Sequence, residues 1–106
     1  MEEMKLNYYE KEESGKTVLA AEGALNTSEA PEFQKELLSV LNTHKDVILD
    51  FSEVPYICSA GLRALMAAQQ FVDESEDKTF VIRNICAEVM DVFEITGFSN
   101  VLMLEP

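Results

Sequence analysis

Hydrophobic and polar positions alternate along this chain in two periods. Leu6 to Tyr9 and Lys16 to Glu22 read as short strands. Between them, Glu10 to Gly15 forms a charged stretch broken by Ser14 and Gly15, so the two strands are expected to make a hairpin. The period then changes. Ala30, Phe33, Leu37, Val40 and Leu41 follow i, i+3, i+4, i+7 spacing and predict a helix with one buried stripe. Thr27 or Ser28 is placed to cap it, Glu29 and Glu32 to complement the positive end of its dipole, and Pro31 fits the first turn. Val47 to Phe51 is a run of apolar residues broken only by Asp50, as in a strand covered on both faces.

Past Pro55 lies a small knot, Cys58 to Gly61, and then a helical length from about Ala60 to Asp73. It carries Leu62, Leu65, Met66, Phe71 and Val72, with alanines at 60, 64, 67 and 68 that permit close approach to neighbours. Glu74 to Lys78 reads as a charged loop and Thr79 to Arg83 as a strand. Asn84 to Cys86 opens a third helix with Val89, Met90 and Phe93 inward and Gly97 at its end. Val101 to Leu104 is a last strand or edge segment. The order β-β-α-β-α-β-α-β predicts an α/β fold with a mixed, mostly parallel sheet and right-handed crossovers. Its 106 residues suffice for one domain, residues 1–106, with a core of its own.

Charge changes the picture of partners rather than of fold. A net charge of −12 argues against direct nucleic-acid binding, which rests on Lys and Arg neutralising phosphates. It is equally the mark of an acidic solvated surface or of a partner with a basic face. No apolar run reaches the roughly 18 residues of a membrane helix, and the N-terminus does not read as a signal peptide. A cytoplasmic protein without membrane association is expected. Two cysteines, Cys58 and Cys86, and one histidine, His44, are too few for a zinc site, so no metal is expected.

The strand-to-helix turn at Ser59 is where open α/β sheets meet ligands and partners. A serine there resembles a nucleophile elbow, but Ile57 stands where that motif needs its first glycine. The only histidine precedes the strand that Ser59 follows, roughly 15 Å away for five extended residues against the roughly 3 Å a Ser–His pair needs. Cys58 lacks a base for the same reason. Neither GxGxxG nor GxxxxGK[ST] occurs, Asp50 reads as structural rather than catalytic, and no catalytic site and no cofactor are expected. Two roles are left for the Ser59 hydroxyl: helix cap, or acceptor of a phosphate delivered by another enzyme.

Three stretches resemble a known family. Asp50, Ser52 and Val54 followed by Ile57 to Leu62 are similar to the strand, D-x-S-x-V link and Asp-Ser-Ser/Thr-Gly-Leu turn of STAS domains, in particular of bacterial anti-sigma factor antagonists. Gly23 to Pro31 is similar to the segment opening the family's first helix, and Val92 to Phe98 to its L-F-[DE]-[IL]-[ST]-G-L segment. The match spans about three-quarters of the chain, Gly23 to Phe98. It implies a partner-switching protein, not an enzyme. The dephosphorylated form would bind an anti-sigma factor that is also a serine kinase and so free the sigma factor. The kinase would phosphorylate Ser59, and a PP2C-type phosphatase would reverse it. The implied contact surface comprises Asn26, Thr27, Cys58, Ser59, Ala60, Gly61, Leu62 and Arg63. Three positions depart from the family pattern: Cys58 and Asn26 replace carboxylates, and Arg63 stands where a small residue is common. Other readings of the same fold are an unphosphorylated docking or scaffold module, a small-ligand (nucleotide) sensor, and a redox role for Cys58 with Cys86.

Overall fold

The computed structural model describes residues 6–105; the expectation about a signal peptide, which rests on residues 1–5, lies outside them. The elements run in the expected order. They are β1 (Asn7–Glu13), β2 (Lys16–Glu22), α1 (Ala30–Thr43), β3 (Asp46–Glu53), α2 (Ser59–Asp73), β4 (Thr79–Arg83), α3 (Ala87–Thr96), a 3-10 turn (Phe98–Asn100) and β5 (Leu104–Glu105). One mixed sheet has the strand order β1-β2-β3-β4-β5, antiparallel between β1 and β2 and parallel thereafter.

Every parallel crossover steps one strand in the same direction. Right-handed crossovers then bring all three helices to one face of the sheet. The core lies on that face: Leu19, Leu49, Phe51 and Ile82 from the strands pack with Phe33 and Leu37 of α1, Leu65 and Ala68 of α2, and Val89 and Phe93 of α3. The buried residues of α1 are Ala30, Phe33, Leu37, Val40 and Leu41, the five its spacing marked.

Three features differ from the sequence expectation. β1 runs on to Glu13, because Ser14 (φ 52°) and Gly15 (φ 83°) make a two-residue turn that keeps Glu10 to Glu13 in register with Leu19 to Lys16. The charges that read as a loop are an edge strand carrying charged side chains, which discourage further pairing. Neither Thr27 nor Ser28 caps α1: Glu29 occupies the cap position without a side-chain bond to the helix, and the Asn26 carbonyl accepts from the amides of Glu29 and Ala30. β5 is only two residues long and pairs with Ile82 and Arg83.

On the opposite face, Asp50 of β3 and Arg83 of β4 are register partners. The guanidinium makes two bonds to Glu13, at 3.0 and 2.9 Å, and its Nε lies 3.6 Å from Asp50 Oδ2. Asp50 is 8% exposed and also accepts from the Ser52 amide at 2.9 Å and from Asn84 Nδ2 at 3.2 Å. Burial pushes its carboxyl up, but the bonds from Ser52 and Asn84 and the Arg83 charge together outweigh it and hold the group below the ordinary carboxylate value. A carboxylate lowered in the folded state contributes stability above its unfolded value, near 3.9, and loses that contribution as pH falls through the folded value. The stability advantage of the wild type over Asp50→Asn is therefore expected to shrink between about pH 5 and pH 2 in urea denaturation. Parallel pH profiles for the two proteins would contradict this.

Candidate functional site

The site is built where β2 and β3 run past the end of the sheet. The Gly23 amide donates to the Glu53 carbonyl (3.0 Å), the Leu25 amide to that of Tyr56 (2.9 Å), and the Cys58 amide to that of Leu25 (3.0 Å). Leu25 and Ile57 form a parallel bridge, and both are buried. These bonds continue the parallel pairing beyond the strands and set the Asn26–Thr27 corner beside the Cys58–Ser59 turn. The Thr27 hydroxyl lies 3.7 Å from Cys58 Sγ and donates to it.

Ser59 is the first residue of α2 and is exposed. Cys58, extended at φ −95° and ψ 176°, holds the cap position, and its carbonyl accepts the first helical bond from Leu62 at 3.0 Å. The Ser59 hydroxyl makes no hydrogen bond among the described residues. It is a free hydroxyl at the positive end of a 15-residue helix. His44 closes the other end of β3, where its Nε2 faces Glu10 Oε2 at 3.2 Å.

Cys58 is half-buried, which pushes its thiol up. The Gly61 amide, the Thr27 hydroxyl and the Ala60 amide outweigh burial and hold the thiol below its ordinary value. The thiol thus sits among donors. Cys86 occupies the equivalent cap of α3, at the same edge of the sheet, and its thiol donates to the Val54 carbonyl at 3.5 Å. Both thiols are free.

Not all eight sequence-derived contact residues reach the surface. Asn26, Thr27, Ser59 and Arg63 are exposed, and Cys58 and Ala60 are partly so. Gly61 and Leu62 are buried beneath them, Leu62 at 6% exposure, so they shape the surface from below. Gly61 has a steric reason to be glycine: a Cβ there would stand 2.8 Å from Ile57 Cγ1 and 2.9 Å from Leu25 Cγ. The sequence reading did not place Tyr56, Pro31 or Gln34 at this surface. Tyr56, 51% exposed, precedes the turn, and Pro31 and Gln34 join Thr27, Ala30, Ala60 and Arg63 around a groove of about 360 Å³ between α1 and α2. The available signal was spacing: Pro31 and Gln34 are three apart, hence on one face of α1. A second cleft, about 330 Å³, is lined by Ser52, Glu53, Val54, Pro55, Cys86 and Glu88. Its two carboxylates and lack of a basic side chain suit a nucleotide phosphate poorly.

The family described as Mlab, STAS domain matches residues 10–105. The chain belongs to the STAS domain family. Among curated proteins it is 27% identical over 88 residues to BtrV of Bordetella bronchiseptica, assigned as an anti-sigma factor antagonist, covering 82% of this chain and 75% of BtrV. Among solved structures, an anti-sigma factor antagonist from Mycobacterium paratuberculosis superposes with TM-score 0.85 at 18% identity, over 96% of this chain and 86% of that one. SpoIIAA, an anti-sigma factor antagonist solved in its unphosphorylated form, gives TM-score 0.68 at 11% identity, over 94% and 88% of the two chains. The phosphorylated form of SpoIIAA from Bacillus gives 0.67 at 12%, over 94% and 92%. The STAS fold is thus established by sequence family and architecture together. Among the described residues of this STAS protein, no helix is long and apolar enough to cross a membrane.

Proposed function

We propose that this STAS protein is an anti-sigma factor antagonist, a single domain over residues 1–106, controlled by phosphorylation of Ser59. Unphosphorylated, it binds an anti-sigma factor that is also a serine kinase. Phosphate on Ser59 ends that binding, and a PP2C-type phosphatase restores it. Neither nucleic acid nor membrane is a direct partner. The observation that carries the reading is the free Ser59 hydroxyl. A serine retained as a helix cap would bond the amides of the first turn, but Cys58 holds the cap position and Ser59 stands clear in solvent.

The kinase supplies ATP, Mg²⁺ and the general base, and this chain supplies a positioned hydroxyl. The added phosphate dianion meets the N-terminus of α2, which favours negative charge, so the fold accepts the modification. The contact surface is Asn26, Thr27, Cys58, Ser59, Ala60 and Arg63, with Gly61 and Leu62 supporting it. Incubation with the cognate anti-sigma kinase and ATP, followed by intact mass, is expected to add one phosphate to the wild type and none to Ser59→Ala. An unlabelled wild type, or a label that persists in Ser59→Ala, would overturn the assignment.

Cys58 favours a second reading, a docking module that is never phosphorylated, because it places a thiol where kinase-regulated relatives keep an acid. A partner bound equally by Ser59→Ala and Ser59→Asp would select that reading.

A further inference from the structure

Arg63 is the only basic residue between Lys45 and Lys78, in a chain with 20 acidic and 8 basic residues. It is exposed on α2 and takes part in none of the ion pairs among the described residues. No acidic residue lies three or four positions from it along α2: those positions are Ser59, Ala60, Met66 and Ala67. The groove it lines carries Thr27, Ala30, Pro31, Gln34 and Ala60, with no carboxylate among them. No ion pair among the described residues accounts for an arginine at this place.

Its position relative to Ser59 does. Residues i and i+4 of a helix are neighbours on one face, with Cβ atoms about 5–6 Å apart. Helical side chains lean towards the N-terminus, so the later member of such a pair lies over the earlier one. Arg63 therefore stands one turn from Ser59 on the same helix face, within reach of a group attached to its hydroxyl, and its guanidinium has the planar fork that matches phosphate oxygens in pairs.

We infer that Arg63 is the counter-ion of phosphorylated Ser59. Resting on the phosphorylation reading above, the inference adds what happens to the phosphate once attached. The dianion and Arg63 pair on the surface of α2, and the pairing draws Arg63 away from the groove it otherwise lines. Phosphorylation thus changes two features of the contact surface: it adds an anion at Ser59 and removes a free cation from the groove.

The test installs phosphoserine at position 59 during translation, so it needs no kinase. Phosphorus NMR then follows the titration of the phosphate in the wild type, Arg63→Ala and Arg63→Lys. The phosphate's second acid dissociation constant is expected to be about threefold larger in the wild type than in Arg63→Ala at low salt, the size of an exposed ion pair. Arg63→Lys should fall between them, and the difference should fade at about 1 M salt, where screening acts within a few ångströms. The helix N-terminus is common to all three proteins and cancels. Coincident titration of wild type and Arg63→Ala would overturn the pairing even if the kinase labels Ser59. A clear difference would uphold the pairing even if the kinase does not. Should Arg63→Ala fail to fold, a wild-type titration that ignores salt would overturn the inference alone.

Discussion

Phosphorylated on Ser59, the protein is expected to bind its anti-sigma factor about 30-fold or more weakly than the unmodified form. The estimate follows from where the hydroxyl stands. Ser59 is exposed between the Asn26–Thr27 corner and the α1–α2 groove, so a partner covering this surface covers the hydroxyl too. A phosphate there brings about −1.5 to −2 of charge into the interface. Leaving a buried charge without a matching partner costs about 2–5 kcal/mol, and about 1.4 kcal/mol is tenfold in affinity. The same phosphate is favourable to the fold by about 0.3–2 kcal/mol, since it meets the positive end of α2. Loss of binding should therefore come with an unchanged or raised melting temperature. Ser59→Ala should bind as the wild type does, and Ser59→Asp, with one charge, should lose part of the affinity. Calorimetric titration of the three proteins and the phosphorylated form, with thermal melts beside it, separates these outcomes. Equal affinity for phosphorylated and unmodified protein would end the switch reading.

The elements that carry the site were legible in the chain because their signals are local. The stripe of α1 repeats at the period of its backbone, and the structure buries those five side chains. The β3 run reads as covered on both faces, but with all three helices on one face Val47, Leu49 and Phe51 are buried and Ile48 only partly so. The position of Ser59 at a strand-to-helix turn was legible for the same reason. What escaped depends on contacts between distant residues. Glu13 reads as part of a charged loop until Arg83, 70 positions away, is seen to bond both of its oxygens. Thr27 reads as a cap for its own helix, yet its hydroxyl is turned to Cys58, 31 positions on. That choice is made by the pairing of residues 23–25 with 53–58, whose amide bonds leave no periodic trace in either segment. Leu62 reads as a surface contact because it follows the turn directly. One helical step from exposed Arg63, however, the side chain points into the core.

Gly61→Val is expected to destabilise the protein by more than about 3 kcal/mol and to dismantle the Ser59 surface with it. Two effects oppose one another at this position. Glycine inside a helix is unfavourable by about 1 kcal/mol relative to alanine, so adding a side chain gains that much from the backbone. Against this, even a Cβ meets Ile57 Cγ1 at 2.8 Å and Leu25 Cγ at 2.9 Å, closer than carbon atoms approach without displacement. Leu25 is wholly buried, Ile57 is 3% exposed, and the two are held to each other by the bridge that joins their segments. Neither can withdraw without lengthening the bonds from Leu25 to Tyr56 and from Cys58 to Leu25. Overpacking of this kind costs about 1–3 kcal/mol for added methylenes. Two carbon contacts below 3 Å place Gly61→Ala in the upper part of that range, about 2–3 kcal/mol. After the backbone gain it should be destabilised by about 1–2 kcal/mol net, and the branched valine by more. Because Leu25 carries Asn26 and Thr27, and Ile57 carries Cys58 and Ser59, the displacement that relieves the clash pulls the two halves of the surface apart. Urea denaturation reads the stability, and kinase labelling of Gly61→Ala, which should still fold, reads the surface. An alanine variant as stable as the wild type would mean that the helix and the Leu25–Ile57 bridge are less closely packed than the distances imply.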